Sequence, residues 1–426
     1  MSVATEKITK LKGFQLHTVK TDKFKTNNIV VKWRTPIKKE NVTHRAILPY
    51  ILQNSTKKYN TTTKLRTYVE ELYGATFFID LSKKGEYHIV SFTLEIANEK
   101  FLSDSSPLLK KGLEFLSEVI FNPNVENGSF DQTILDNEKR ALKQRIQSIY
   151  DDKMRYSNQR VIDVMCENEP YALSVYGDKD EVDNITAQSL YQYYQEALDE
   201  DQIDIFMVGD LETEDVTSYI ENLFPFKERE GKTIDRRNFT SVEEVKEVRE
   251  VQDIKQGKLN MGFRTNIVYG DKDYYALQIL NGIYGGFSHS KLFLNVREKE
   301  SLAYYAASRL ESHKGLLLVM SGIDNQNYEK AVTIIKEQME LMKKGEFTDQ
   351  EIMQTKAVIH NQMLETLDTS RGMIELFYHN SVSDKYVEIG EWLKEMSKVT
   401  REEIVASAQK IDLDTIYFLT GSEGNA

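Results

Sequence analysis

Residues 282–305 read GIYGGFSHSKLFLNVREKESLAYY. The stretch joins a small-residue loop, a polar start, an amphipathic helical run and a sharp return into a strand. It also places Arg297 and Tyr304 seven residues apart. Both side chains are hydrogen-bond donors suited to gripping a carbonyl or an oxyanion. Spacing alone equally suits a plainer arrangement, with Arg297 beside Glu298 and Lys299 on a solvated helix face and Tyr304 opening a core strand. Tyr305 is a competing tyrosine. The segment GGFSHSK at 285–291 has part of a phosphate-cradle pattern. It has Ser290 where the second glycine of G-x-x-x-x-G-K-[ST] belongs, and it follows a helical run, so nucleotide binding is not expected. Gly285, Gly286, Ser288 and His289 are instead read as a substrate loop, flexible backbone whose N–H groups an extended peptide can meet.

The surroundings of this stretch repeat earlier parts of the chain. LNMGFRTN at 259–266 echoes IVVKWRTP at 29–36, with an aromatic residue and Arg-Thr closing each run. The apolar helix read at Tyr274–Tyr284 echoes Ala46–Gln53, and TIYFLTG at 415–421 echoes DIFMVG at 204–209. A period of roughly 200 residues is too long for a solenoid and predicts duplication into two similar α+β lobes. Residues 1–228 are assigned to the first lobe and 251–426 to the second. Residues 229–250, charged and poor in large apolar side chains, are assigned to a linker. Strands are expected within 13–36, 75–81, 86–96 and 203–208. Helices are expected at 44–53, 61–72, 108–120, 129–150, 155–166 and 186–197. Pro49 is awkward inside the first of these, because proline removes a donor and crowds the preceding turn.

At 426 residues, with 40% hydrophobic and 10% aromatic content, the chain can build more than one core. Its net charge of −12 disfavours unspecific nucleic-acid binding. The start MSVATEKITKLKGF lacks the apolar core of a secretory signal, and runs such as Gly315–Met320 are too short to span a bilayer. Cys166 is the sole cysteine, which excludes an internal disulfide or a cysteine-built metal knot and fits a reducing cytoplasm. The seven histidines are His17, His44, His88, His289, His313, His360 and His379, and no two lie within five residues. No H-E-x-x-H, H-x-x-E-H or H-x-H pattern is therefore present. Each is read as a surface or hydrogen-bonded polar group, with His289 set apart by its place in the glycine-serine loop.

Taken together, GGFSHSKLFLNVREKESLAYY, TKLRTYVEELYGATF at 63–77, YGDKDEVDNITAQSLYQYYQ at 176–195, IFMVGDLETEDVTSYIENLF at 205–224 and GEFTDQEIMQTK at 345–356 resemble the pitrilysin and mitochondrial processing peptidase family of zinc peptidases. They run in family order over most of the chain. The resemblance implies an α+β fold of two homologous lobes, each an antiparallel-rich sheet packed with helices, arranged as a half-clamshell. It also implies an H-x-x-E-H zinc motif on a first-lobe helix. With Ser55-Thr56 aligned to the family's Gly-Thr, that motif falls on Ala46-Ile47-Leu48-Pro49-Tyr50. The distal third ligand, seven residues after Glu138, falls on Arg145.

These residues do not suit zinc. Alanine has no lone pair, proline no proton acceptor, and a phenol near pKa ~10 must first lose its proton. Arginine beside a dication at ~4 Å and an effective dielectric of ~20 is repelled by on the order of 8 kcal/mol. No metal or other cofactor is expected in this chain. The arginine–tyrosine pair that the family uses to bind the substrate backbone and steady the tetrahedral intermediate matches Arg297 and Tyr304. Some family members divide the labour between two chains. The resemblance thus implies an inactive subunit of a cytoplasmic heterodimeric peptidase acting on small or unfolded peptides, with zinc on a homologous partner. The alternative is a scaffold or peptide-binding pseudopeptidase without catalytic assistance.

Overall fold

The computed structural model describes residues 5–103, 106–211, 213–237 and 239–421. These form two compact units. The first comprises Met1–Gln147, Leu173–Ile234 and Glu365–Val382; the second comprises Ser148–Ala172, Asp235–Leu364 and Ser383–Ala426.

In the first unit a six-stranded sheet runs in the order Lys7–Leu11, Phe14–Lys20, Gln202–Gly209, Thr26–Pro36, Tyr87–Ala97, Thr76–Lys84. Its neighbours are antiparallel except Phe14–Lys20 against Gln202–Gly209, which are parallel. Thr26–Pro36 is buried along nearly its whole length. Ile29, Val31 and Trp33 point to the apolar core, which they share with Ala46 and Leu48 of helix Val42–Leu52, Phe115 of helix Leu108–Phe121 and Leu190 of helix Ala187–Glu200. Residues between them bring polar groups to the opposite face. There helix Ser370–Ser383 supplies their partners. Lys32 Nζ donates to Glu375 Oε1 at 2.7 Å and lies 4.5 Å from the centroid of the Tyr378 ring. Asn28 donates to Ser370 Oγ at 3.3 Å.

The second unit repeats this plan. Its sheet runs Ala303–Glu311, Leu316–Ile323, Gly257–Arg264, Asp412–Thr420, Lys246–Val251, antiparallel except for the last pair. Read from the other end, order and sense match five strands of the first sheet. The echoing sequences IVVKWRTP and LNMGFRTN occupy equivalent central strands. In Gly257–Arg264, Leu259, Met261 and Phe263 face the core, while Asn260, Gly262 and Arg264 meet helix Lys153–Met165. Asn260 donates to Asn158, and a Cβ on Gly262 would sit 2.6 Å from Met165 Sδ. Arg264 is held by Glu169 at 2.6 Å and Asp414 at 2.9 Å.

A single cut in the sequence therefore does not describe the units. Helix Lys153–Met165 belongs with the second sheet and Ser370–Ser383 with the first, because each covers the polar face of a central strand. Within the 229–250 stretch, the described residues before Lys246 carry no helix or strand, and Lys246–Val251 forms a sheet edge.

Two local features stand out. His17 is buried, with Nδ1 2.7 Å from Glu6 Oε1, Nε2 3.1 Å from Asp204 Oδ1 and its ring stacked on Phe206 at 4.1 Å. Burial alone lowers the affinity of this imidazole for a proton. The hydrogen bonds to Asp204 and Glu6 outweigh it and raise the pKa to about 9. In Ala303–Glu311, Ala303 opposes Ile323 and Tyr305 opposes Gly322, so Tyr304 is the extra residue of a β-bulge. The Tyr305 ring lies against Gly322, where a Cβ would be 2.5 Å from Cε1.

The folded His17 pKa lies above the ordinary 6.5, so its stabilisation is complete below pH 6.5 and is lost as pH rises through about 9. Urea unfolding should show a fall on the order of 3 kcal/mol across that window, and His17→Gln should remove this pH dependence. At the bulge, Gly322→Ala should cost about 1–3 kcal/mol through overpacking. Tyr304→Phe should stay within about 0.5 kcal/mol, both read from thermal melts.

Candidate functional site

Helix Val42–Leu52 continues through Pro49. The missing N–H removes only one intrahelical bond, and the Pro49 carbonyl still accepts from Gln53 N–H at 3.0 Å. Ala46 and Pro49 are buried, whereas Tyr50 is half-buried and lines a cleft of about 520 Å³. Opposite it lie Glu138 and Arg145, seven residues apart and hence on one side of helix Gln132–Asp151. The structure brings Tyr50 and Arg145 into direct contact, with the guanidinium carbon 3.6 Å from the ring centroid. Arg145 Nη2 also faces Glu138 Oε2 at 3.7 Å.

The electrostatics follow from burial. Burial raises the Tyr50 pKa above 10, with Arg145 opposing it, so the hydroxyl is a neutral phenol at neutral pH. Burial likewise holds the Glu138 carboxyl above its usual range against the opposing pull of Arg145. Tyr50 would have to give up a proton that burial makes harder to remove before its oxygen could bind a metal, and Ala46 contributes only a methyl group to the core. These residues do not fit zinc. Among the described residues, no group of three or more His, Cys, Asp or Glu is arranged to hold a metal ion.

The second unit carries the other candidate residues. Helix Tyr274–Asn281 passes into a wider-wound turn over Gly282–Gly286. Gly282 and Gly285 are buried, and a Cβ on Gly285 would lie 2.5 Å from Ser308 Oγ. Close packing of the turn on the neighbouring strand, rather than the freedom expected of a loop, is what these glycines provide. Gly286 is half-buried and Ser288 exposed. His289 Nε2 lies 2.9 Å from Thr355 Oγ1 and its ring stacks on Phe287 at 5.6 Å. Burial lowers its pKa, with Glu351 opposing, so the ring is a neutral partner of Thr355. The sequence carried no signal for the Thr355 contact, which joins side chains 66 positions apart.

Arg297 lies in the wide turn Phe293–Lys299, with its guanidinium carbon 4.7 Å from the Phe293 ring centroid and Nε 3.6 Å from Glu298 Oε1. Its side chain is 44% exposed. Tyr304 is 67% exposed, and the bulge is what turns it out of the ladder. Tyr305 is half-buried over Gly322, with Lys258 Nζ 5.8 Å from its ring, and burial raises its pKa. The two adjacent tyrosines are therefore physically different groups, one open and one packed. Among the described residues, no helix is long and apolar enough to cross a membrane.

Comparison with known proteins agrees with this architecture. Residues 184–359 match the family described as "Peptidase M16 inactive domain". The chain is 51% identical over 424 residues, covering 100% of both chains, to the "Probable inactive metalloprotease YmfF" of Bacillus subtilis. It is 21% identical over 304 residues, 70% of this chain and 72% of the relative, to the "Uncharacterized zinc protease YmxG" of the same organism. A solved structure of a conserved protein from Enterococcus faecalis superposes with a TM-score of 0.92 at 35% identity, covering 99% of this chain and 100% of that one. The same two-lobe architecture, a likeness in sequence over the full length and a sequence without H-x-x-E-H lead to one assignment: the chain belongs to the peptidase M16 family, among its members that lack the metal site.

Proposed function

We propose that the chain is the zinc-free subunit of a heterodimeric metallopeptidase that cleaves small or unfolded peptides in the cytoplasm. A homologous partner carries the zinc. The observation that supports this most directly is the contrast between the two candidate regions. Tyr50 and Arg145, which the family resemblance aligns with the metal ligands, are in contact with each other, while Tyr304 is turned out into solvent by a bulge. Tyr304 is open to solvent on a bulge and the Arg297 side chain is half-exposed, and bulges serve to re-aim side chains beside active sites. B. subtilis contains relatives of both kinds, one named an inactive metalloprotease and one a zinc protease.

In this reading the partner's zinc activates water. Arg297 and Tyr304 donate to the peptide carbonyl and to the oxyanion that develops from it. The strand Thr76–Lys84 lies at the edge of its sheet, paired on one side to Tyr87–Ala97. Its other side offers backbone groups to an extended peptide.

Reconstitution tests the proposal. This chain purified alone should hold well under one zinc and cleave no peptide. Mixed with a homologue from the same organism that bears H-x-x-E-H, it should form a heterodimer with peptidase activity. Arg297→Ala and Tyr304→Phe should each lower kcat by about 10- to 1000-fold without weakening assembly, the range of a lost oxyanion donor. Full turnover in both variants would end the catalytic-assistance reading and leave a scaffold. One tightly held zinc in the isolated chain would end the zinc-free reading.

A further inference from the structure

The edge strand of the second sheet is complementary to itself. We propose that Lys246–Val251 pairs antiparallel with the same strand of a second copy of the chain, centred on Val248, and so joins two second-unit sheets into one. The inference is independent of the peptidase reading above.

Lys246–Val251 is paired on one side only, parallel to Asp412–Thr420. Just beyond it, the Gln252 N–H donates to Thr420 O at 2.9 Å. Backbone groups alternate in direction along a strand. Lys246, Val248 and Glu250 therefore turn theirs toward Asp412–Thr420, while Glu247, Arg249 and Val251 turn theirs outward. Among the described residues no strand meets that outer side. The first unit has a strand at this place. Its equivalent strand, Phe14–Lys20, is likewise parallel to its inner neighbour and carries Lys7–Leu11 antiparallel on its outer side. The second sheet has no such sixth strand among the described residues. An open edge of this kind is a template for strand addition by another chain.

The side chains identify the partner. Residues 245–251 read VKEVREV. Laid antiparallel on a copy with Val248 opposite Val248, the run sets Glu247 against Arg249, Lys246 against Glu250 and Val245 against Val251. Every charge meets its opposite and every valine meets a valine. The backbone agrees with this register, because Glu247 and Arg249 both turn outward and fall opposite each other as a hydrogen-bonded pair. A slip of two residues keeps outward groups together but opposes Glu247 to Glu247 or Arg249 to Arg249, and like charges directly opposite are unfavourable. Val245 is 41% and Val251 63% exposed, so both ends of the run have apolar surface to bury. Tyr328 steadies the charged face. Its hydroxyl donates to Glu247 at 2.7 Å, and its ring centroid lies 4.1 Å from the Arg249 guanidinium carbon. The Arg249 and Glu247 side chains still keep about half of their surface open. Pairing about a two-fold axis uses the same edge on both copies, so it closes at a dimer.

A charge exchange between two variants tests the pairing. The mass of the full chain is read by size-exclusion chromatography with light scattering, and the wild type at about 100 μM should have twice the monomer mass, as expected for micromolar association. Glu247→Arg and Arg249→Glu each set like charges opposite at two places. Each variant alone should associate at least about tenfold more weakly than the wild type. An equimolar mixture of the two should dimerise again, because residues 247 and 249 of one chain then meet opposite charges on the other. A wild-type chain that stays monomeric at that concentration overturns the inference. A dimer as tight in both variants as in the wild type overturns it, as does a mixture of the two, each shown folded by its thermal melt, that is no more associated than either alone.

Discussion

Each unit depends on a central strand that is buried on both faces. One face of Thr26–Pro36 and of Gly257–Arg264 is apolar and packs in a conventional core. The other face carries Asn28 and Lys32 in the first strand and Asn260 and Arg264 in the second, and it is buried too. An unpaired charge there would be far more costly than the apolar contacts could offset. Each unit therefore recruits a helix from a distant part of the chain: Ser370–Ser383 with Glu375 for Lys32, and Lys153–Met165, whose following turn brings Glu169, for Arg264. Burial alone raises the Glu375 carboxyl, but Lys32 and Lys84 hold it at about 2, so it stays ionised at any physiological pH.

Both candidate arginines use the same device, an aromatic ring laid under the guanidinium: Tyr50 for Arg145 and Phe293 for Arg297. The ring supports the charge in a partly dry setting and leaves the donors in plane. In the first unit the pair lines the cleft between helices Val42–Leu52 and Gln132–Asp151. In the second it stands in the turn leading to a strand whose bulge exposes Tyr304.

Much of this was legible in the chain itself. The repeat of an aromatic residue followed by Arg-Thr marked equivalent central strands, because alternation and a shared polar face leave a signature that survives duplication. The lack of any H-x-x-E-H pattern was readable directly. The glycines at 282–286 were misleading. In sequence, glycine signals freedom and close approach equally, and only the neighbouring Ser308 and Thr355 show that close approach is its use here. The helix expected at 44–53 forms through the awkward Pro49, since packing on the core outweighs one lost hydrogen bond.

The sequence by itself determined the two-lobed α+β plan, the family and the lack of an H-x-x-E-H pattern, because periodicity and side-chain type are local properties. Only the tertiary structure decided which helix covers which sheet, that Tyr304 and not Tyr305 is open to solvent, and that Arg145 meets the ring of Tyr50. Those outcomes depend on contacts between residues far apart in the chain. A one-residue bulge or a ring stacked on a cation leaves no periodic trace in the sequence that produces it.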